Sequence, residues 1–384
     1  MNILFVVNTA YVNGNGLSAS CRRTVKYLRE LGETVKVLSA SAKNEDEHPD
    51  FVLPTYKMPV FQPLITKQGY SFAKSDKDVI RKAVRWADVV HLEEPFILQV
   101  VVAKIATEEG KVITGTYHLH PENLYSSVHL QKSKLLNGTT MRVWRDMVFN
   151  HCKILQCPTE NVRERLESWH FKSELRVISN GMIPFEGERE PIDIVKPEGA
   201  YLVVSTGRLS VEKDQYTLIR AVKRSAFADR ILLVLAGRGP EHDKMQAQVN
   251  DLYQSGVLKI KPVVGFFSLG QLRSLYDIAD LYVHCATVEV EGLSCMEAVQ
   301  QGVVPIIAKG PLTATSQFAL SEKSTFPVGD DIALANAIDY WLSDDGLRRS
   351  EAEKYKGTSK AYDVKTCVSA LRKMLYDAYE MRDK

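Results

Sequence analysis

A chain of 384 residues has room for about two domains, and its 45% hydrophobic, 25% charged and 9% aromatic content excludes a disordered, collagen-like or coiled-coil protein. Its 49 basic and 47 acidic side chains leave a net charge of +2, so no global field draws it to nucleic acid, and no nucleic-acid partner is expected. Cys21, Cys152, Cys157, Cys285, Cys295 and Cys367 form no C-x-x-C pair and no zinc-like cluster with histidine, which predicts reduced thiols in a cytoplasmic protein. The opening MNILFVVN lacks a basic leader and reads as a strand, and no run approaches the ~20 apolar residues of a membrane span.

Residues 3–8 (ILFVVN) are a short apolar run of the kind a strand buried on both faces shows. A polar turn with Gly14 and Gly16 follows. Leu17, Cys21, Val25, Leu28 and Leu31 then recur at three- and four-residue spacing, a helix that Gly32 caps. Residues 34–38 (TVKVL) are the second strand, completing a βαβ unit and implying a parallel sheet. Further strands are predicted at 88–92, 112–116 and 154–157. From 182 to 199 the pattern gives way to MIPFEGEREPIDIVKPEG, whose prolines, glycines and acids mark a linker.

The scheme then repeats. A strand at 201–205 meets a turn at Gly207, and Asp214 opens a helix to about Ser225. A strand at 231–235 meets the turn Gly237-Arg238-Gly239-Pro240; strands at 258–264, 281–284 and 303–307 and a helical tail after residue 331 complete the array. This predicts an α/β fold of two Rossmann-like, doubly wound domains, with a ligand in a cleft between them at the carboxyl ends of the strands.

Gly14-Asn15-Gly16-Leu17-Ser18-Ala19 fits G-x-G-x-x-A, but the second strand ends at Leu38-Ser39-Ala40 without the acid that holds a nicotinamide ribose. The glycines then serve either a close backbone approach to a ligand or a tight turn alone. The second half carries more. In Gly207-Arg208-Leu209-Ser210-Val211-Glu212-Lys213-Asp214, a loop at a strand end presents Arg208 and Lys213 beside a helix start, as a diphosphate grip or as a solvated charged loop. In Glu289-Val290-Glu291-Gly292-Leu293-Ser294-Cys295-Met296-Glu297, seven residues separate Glu289 from Glu297, and Gly292–Ser294 opens a helix whose N–H groups can face an anion. The two carboxylates can reach a sugar and a ribose, or Glu297 is simply a packed helix residue. Gly237 and Arg238 would border a nucleoside pocket.

GRLSVEKDQYTLI, LAGRGP and EVEGLSCMEAVQQGVVPII, in that order, resemble the C-terminal half of retaining nucleotide-sugar glycosyltransferases of the GT-B fold, group 1 type. The resemblance implies transfer of a hexose, glucose first, from a nucleotide diphosphate donor, most simply UDP-linked, with retained anomeric configuration. It implies that Arg208 and Lys213 bind the diphosphate, Glu289 the sugar and Glu297 the ribose, with Gly16, Gly237, Arg238, Gly292, Leu293 and Ser294 lining the donor site. It implies no metal and no cofactor, since protein cations neutralise the phosphates and the nucleotide sugar is a co-substrate. The Glu291-Gly292-Leu293-Ser294 form is similar to the branch that glycosylates diacylglycerol. The expected division is residues 1–181 as acceptor domain, joined by a helix at about 362–384, a linker at 182–199, and residues 200–361 as donor domain.

In the first half, Thr114-Gly115-Thr116-Tyr117-His118-Leu119-His120 follows a strand, and the resemblance puts His118 near the sugar, with His120 as its rival or as a loop cap. Residues 55–74 mix aromatic and apolar groups with lysines, and from Lys57 to Arg85 there are seven basic and two acidic residues. That suits either an anionic membrane surface carrying a lipid acceptor, with the protein peripheral at the inner face, or a loop beside an ordinary solvated helix. A nucleotide-sugar epimerase and a non-catalytic nucleotide-sugar sensor are the rival functions on the same architecture.

Overall fold

The computed structural model of the protein describes residues 1–11, 16–40, 48–56, 72–126, 128–184 and 187–382. Contacts divide the chain into two units, one of Met1–Leu124, Gln131–Gly181 and Val364–Lys384, the other of Tyr125–Leu130 and Met182–Asp363. Tyr125–Leu130 thus groups with the second unit although its neighbours on both sides group with the first.

The first unit holds a parallel sheet of Asn2–Val6, Thr34–Ala40, Phe51–Leu53, Val89–Leu92, Val112–Thr116, Ile154–Cys157 and Glu174–Val177. By place in the chain, their order across the sheet is 3-2-1-4-5-6-7. Ile3–Val7 is wholly buried, which explains the continuous apolar run. Gly32 takes φ +86°, and the Glu33 amide bonds the Leu28 carbonyl across it, ending the helix Gly16–Glu30. The C-terminal helix Val364–Glu380 buries Val364, Val368, Leu371 and Leu375 in the same core as Ile3, Phe5, Val25 and Leu28. Buried Glu33 fixes that docking, accepting from Arg372 Nε at 2.5 Å and Tyr376 Oη at 3.0 Å.

The second unit holds a parallel sheet of Tyr201–Thr206, Ile231–Ala236, Val263–Gly265, Leu281–His284, Val304–Lys309 and Thr325–Pro327, in the order 3-2-1-4-5-6. In each sheet the first and fourth strands are neighbours whose connections leave in opposite directions, and the carboxyl ends of these strands are where such folds take ligands.

Two expectations change. The strand expected at 258–264 shrinks to Val263–Gly265: Gly256 turns at φ +74° and Pro262 has no N–H to donate, so the chain joins the sheet only after it. The edge strands Phe51–Leu53, Glu174–Val177 and Thr325–Pro327 lacked a readable apolar run.

The basic face also changes. Lys77–Trp86 is a helix, but Arg81 pairs with Glu108 at 3.2 Å and Glu109 at 2.5 Å, and Arg85 Nε bonds Glu109 at 2.8 Å. The neutralising acids come from the next helix, so counting charge along one segment overstated the field. Most of the 55–74 loop, residues 57–71, lies outside the described residues. Among the described residues no helix is long and apolar enough to cross a membrane.

Candidate active site

The loops bearing Arg208, Lys213 and Glu289 leave the second sheet at its switch point. The first strand ends at Thr206 and the fourth at His284, and the chain after each turns into the predicted motifs. The Thr287 amide donates to the Glu212 carbonyl at 2.8 Å, tying the 207–214 loop to the glutamate loop. The Glu289 amide donates to the Leu312 carbonyl at 2.7 Å and the Ala314 amide to the Glu289 carbonyl at 3.0 Å, so a segment beyond the fifth strand straps Glu289 in place.

Glu289 bonds Lys213, and its carboxylate lies 3.3 Å from His284 Nε2. Burial opposes ionisation of this carboxyl, but Lys213, then His284, overcome it and hold it well below the usual carboxylate range. Burial lowers the His284 pKa, partly countered by Glu289. The His284 ring is fixed by Tyr282 Oη at 3.2 Å and Thr315 Oγ1 at 3.3 Å, and Tyr282 Oη also meets Ser294 Oγ at 3.0 Å. Arg208 makes no side-chain ion pair among the described residues, whereas Lys213 is committed to Glu289. The site therefore holds one uncommitted cation and one cation balanced by an internal anion.

The glycines have different reasons. Gly237 and Gly239 press on the 207–209 backbone: an added Cβ would lie 1.8 Å from the Gly207 oxygen and 2.1 Å from the Leu209 oxygen respectively. They set the position of the 207–209 loop. Gly16 opens its helix in the first unit with open space around its Cβ direction. Gly14 and Asn15 lie outside the described residues. Arg238 is exposed, its guanidinium 3.8 Å over the Phe266 ring.

Gly292 has φ +88°, and a Cβ there would meet Thr315 Oγ1 at 2.3 Å. It starts the helix Leu293–Gln300, whose first N–H groups, at Leu293 and Ser294, have no partner within the helix. Glu297 lies half-buried one turn further, close enough to Tyr276 and Tyr282 to raise their hydroxyl pKa values alongside the larger effect of burial. Gly292→Ala should therefore lower stability by about 2–3 kcal/mol through strain and clash. Thermal unfolding checks this, and an unperturbed variant would remove the steric argument.

In the first unit, His118 Nε2 lies 2.7 Å from Glu93 Oε2. Buried His120 has its Nδ1 3.3 Å from Tyr117 Oη, and its amide donates to Asn123 Oδ1 at 3.1 Å, the arrangement of a loop-stabilising residue. Among the described residues no cluster of three or more His, Cys, Asp or Glu side chains could hold a metal ion.

Sequence reasoning missed His284, Thr315 and Glu93. A polar residue closing an apolar strand, as in LYVH and in HLEE, is the available signal for His284 and Glu93. Thr315 gives none, because the strap reaches Gly292 only through the fold.

Residues 187–358 match the family described as Glycosyl transferases group 1, and residues 14–184 match Glycosyltransferase Family 4. The chain is 24% identical over 324 residues to an alpha-monoglucosyldiacylglycerol synthase of Streptococcus pneumoniae (strain ATCC BAA-255 / R6), covering 81% of this chain and 71% of that protein. A protein of the same name from Acholeplasma laidlawii is 21% identical over 317 residues, 77% of each chain. The crystal structure of Anabaena Alr3699/HepE in complex with UDP-glucose superposes with a TM-score of 0.74 at 18% identity, covering 98% of this chain and 100% of that one.

Proposed function

The chain belongs to the group 1 glycosyltransferases and has the GT-B fold, and we propose that it transfers glucose from UDP-glucose to a lipid hydroxyl with retention at the anomeric carbon. The observation that carries this reading is Glu289 held as a carboxylate between Lys213 and His284, with Arg208 left uncommitted, where a strand-end loop meets a helix start. Two cations and open helix N–H groups suit a diphosphate, and a fixed carboxylate suits sugar hydroxyls and the positive charge that develops at the anomeric carbon. A UDP donor is supported by the UDP-glucose complex of the Anabaena structure, and a glucosylated lipid by the names of the two synthases. The word alpha in those names supports retention, since nucleotide-linked glucose is itself alpha-configured.

In this reading Arg208 and Lys213 hold the diphosphate, Glu289 the sugar and Glu297 the ribose, while Leu293 and Ser294 offer backbone N–H groups. The anomeric C–O bond to the diphosphate breaks, the bond to the acceptor oxygen forms on the same face, and the acceptor proton passes to the departing phosphate oxygen. UDP and an alpha-glucoside result, with no metal or cofactor called for. His118, in the first unit, receives a substrate hydroxyl. The protein works at the cytoplasmic face of a membrane, held peripherally by Lys77 and Lys82 rather than by Arg81 and Arg85, which face Glu108 and Glu109.

UDP-[14C]glucose with diacylglycerol in anionic vesicles should yield a lipid-soluble glucoside that alpha-glucosidase cleaves. UDP-glucose alone should yield no epimer and only slow hydrolysis. The protein should float with the vesicles at low salt and detach as salt rises, since exposed charges are screened over ~10 Å at 0.1 M. Release of a beta-glucoside would sink the retaining reading, an epimer formed without acceptor would sink transfer, and failure to float would turn the search to a soluble acceptor.

A further inference from the structure

Glu93 follows the fourth strand of the first sheet, its amide bonded to the Val6 carbonyl of the first strand at 3.1 Å. It is almost fully buried, and its two carboxylate oxygens serve two histidines: Oε2 lies 2.7 Å from His118 Nε2 and Oε1 3.3 Å from His91 Nε2. His91 is held in turn. Its Nδ1 and Nε2 lie 2.9 Å from the hydroxyls of Thr114 and Thr116. Thr116 donates to Gln156 Oε1 at 2.7 Å, and Gln156 Nε2 donates to the Ile178 carbonyl at 2.8 Å.

The proton positions follow. The Thr116 hydroxyl has given its proton to Gln156, so towards His91 its oxygen accepts; His91 Nε2 carries a proton and Nδ1 accepts from Thr114. Burial would raise the Glu93 carboxyl, but His118, with its hydrogen bond and that of His91, overcomes burial and holds it down to about 2. Glu93 is then an acceptor at both oxygens, and His118 Nε2 carries its proton towards it. His118 Nδ1 makes no hydrogen bond among the described residues, and the side chain keeps 9% exposure.

We propose that Glu93 is a positioning residue: held by His91, it locks the His118 imidazole with Nε2–H inward and presents Nδ1 to a substrate hydroxyl. The lock costs nothing at the moment of reaction, because the strand that leads into Glu93 and the two that carry Thr114, Thr116 and Gln156 are already paired in the sheet. The identity of that hydroxyl's owner, a sugar or acceptor of the transfer reaction, rests on the function proposed above; the lock itself does not.

Two measurements separate these. In uniformly 15N-histidine-labelled protein at about pH 8.5, where an ordinary imidazole is neutral, the His118 pair of ring signals, assigned by its loss in His118→Ala, should report the Nε2–H tautomer. In Glu93→Leu those signals should move to the averaged position of an unlocked ring. Independently, Glu93→Gln should lower kcat about tenfold or more while leaving UDP affinity by calorimetry unchanged, because the affected hydrogen bond is made to substrate rather than to nucleotide. In a His118→Ala background the same Glu93→Gln change should have no further effect. An equal loss in both backgrounds, or a His118 tautomer indifferent to Glu93→Leu, overturns the proposal. A protein that shows the tautomer shift but neither transfers glucose nor hydrolyses UDP-glucose overturns the proposed function instead.

Discussion

Lys213→Ala is expected to weaken UDP binding at least about tenfold and to lower the unfolding free energy by about 3 kcal/mol. The affinity loss follows from removing one charge-assisted contact to a phosphate, worth ~1.5–3 kcal/mol. The stability loss has a different source: without Lys213, the carboxylate of Glu289 stays within a largely buried site with only His284 beside it, and stripping one partner from a buried pair costs ~3–5 kcal/mol. The double variant Lys213→Ala/Glu289→Gln should therefore regain most of the stability and none of the affinity.

Acid offers a further check on sign. A carboxyl held below its unfolded pKa contributes stability that is complete above ~pH 4.3 and is lost as pH falls. In the single variant the stranded Glu289 carboxyl protonates earlier than in the native protein, so the stability gap between the two should narrow on acidification. Chemical unfolding at several pH values measures it. A Lys213→Ala protein as stable as the native one would make the pair a solvated contact, and unchanged UDP affinity by calorimetry would remove Lys213 from the phosphate grip.

Glu289→Gln should lower kcat by about a hundredfold or more, the scale on which a preorganised charge at the reacting centre acts. UDP affinity should hold or rise, because Lys213, engaged with Glu289 in the absence of ligand, becomes free for phosphate. Glu297→Gln should do the reverse, raising the KM for the donor with a smaller effect on kcat, since its proposed partner is the ribose. Steady-state kinetics with UDP-glucose, together with UDP titration of each variant, distinguishes them. If Glu289→Gln loses affinity and turnover in equal measure, its carboxylate holds the loop rather than the sugar.

The apolar runs at 3–8, 201–205 and 231–235 needed no tertiary information to be read as strands. A strand covered on both faces has no polar side to interrupt it, and Ile231–Ala236 is buried throughout. The alternation of strands with amphipathic helices carried the doubly wound class, and the glycine- and glutamate-bearing turns of the second half were legible as the strand-end loops that lie together in the second unit. These are local signals, written within one or two turns of chain. What only the tertiary structure decided are contacts between segments far apart in sequence. Glu289 meets Lys213 across 76 residues and is strapped by Leu312–Ala314; His284 reaches Thr315 across 31 residues; Glu93 meets His118 across 25. The excess of basic residues read along residues 57–85 is partly offset at Arg81 and Arg85 by Glu108 and Glu109, acids one helix away. Sequence periodicity records which face of an element is apolar, but charge compensation and hydrogen-bond direction depend on which strand ends the sheet order makes neighbours. That order makes the first and fourth strands neighbours in the second sheet, and with them Lys213 and Glu289, while in the first sheet the fourth and fifth strands are the neighbours that bring Glu93 to His118.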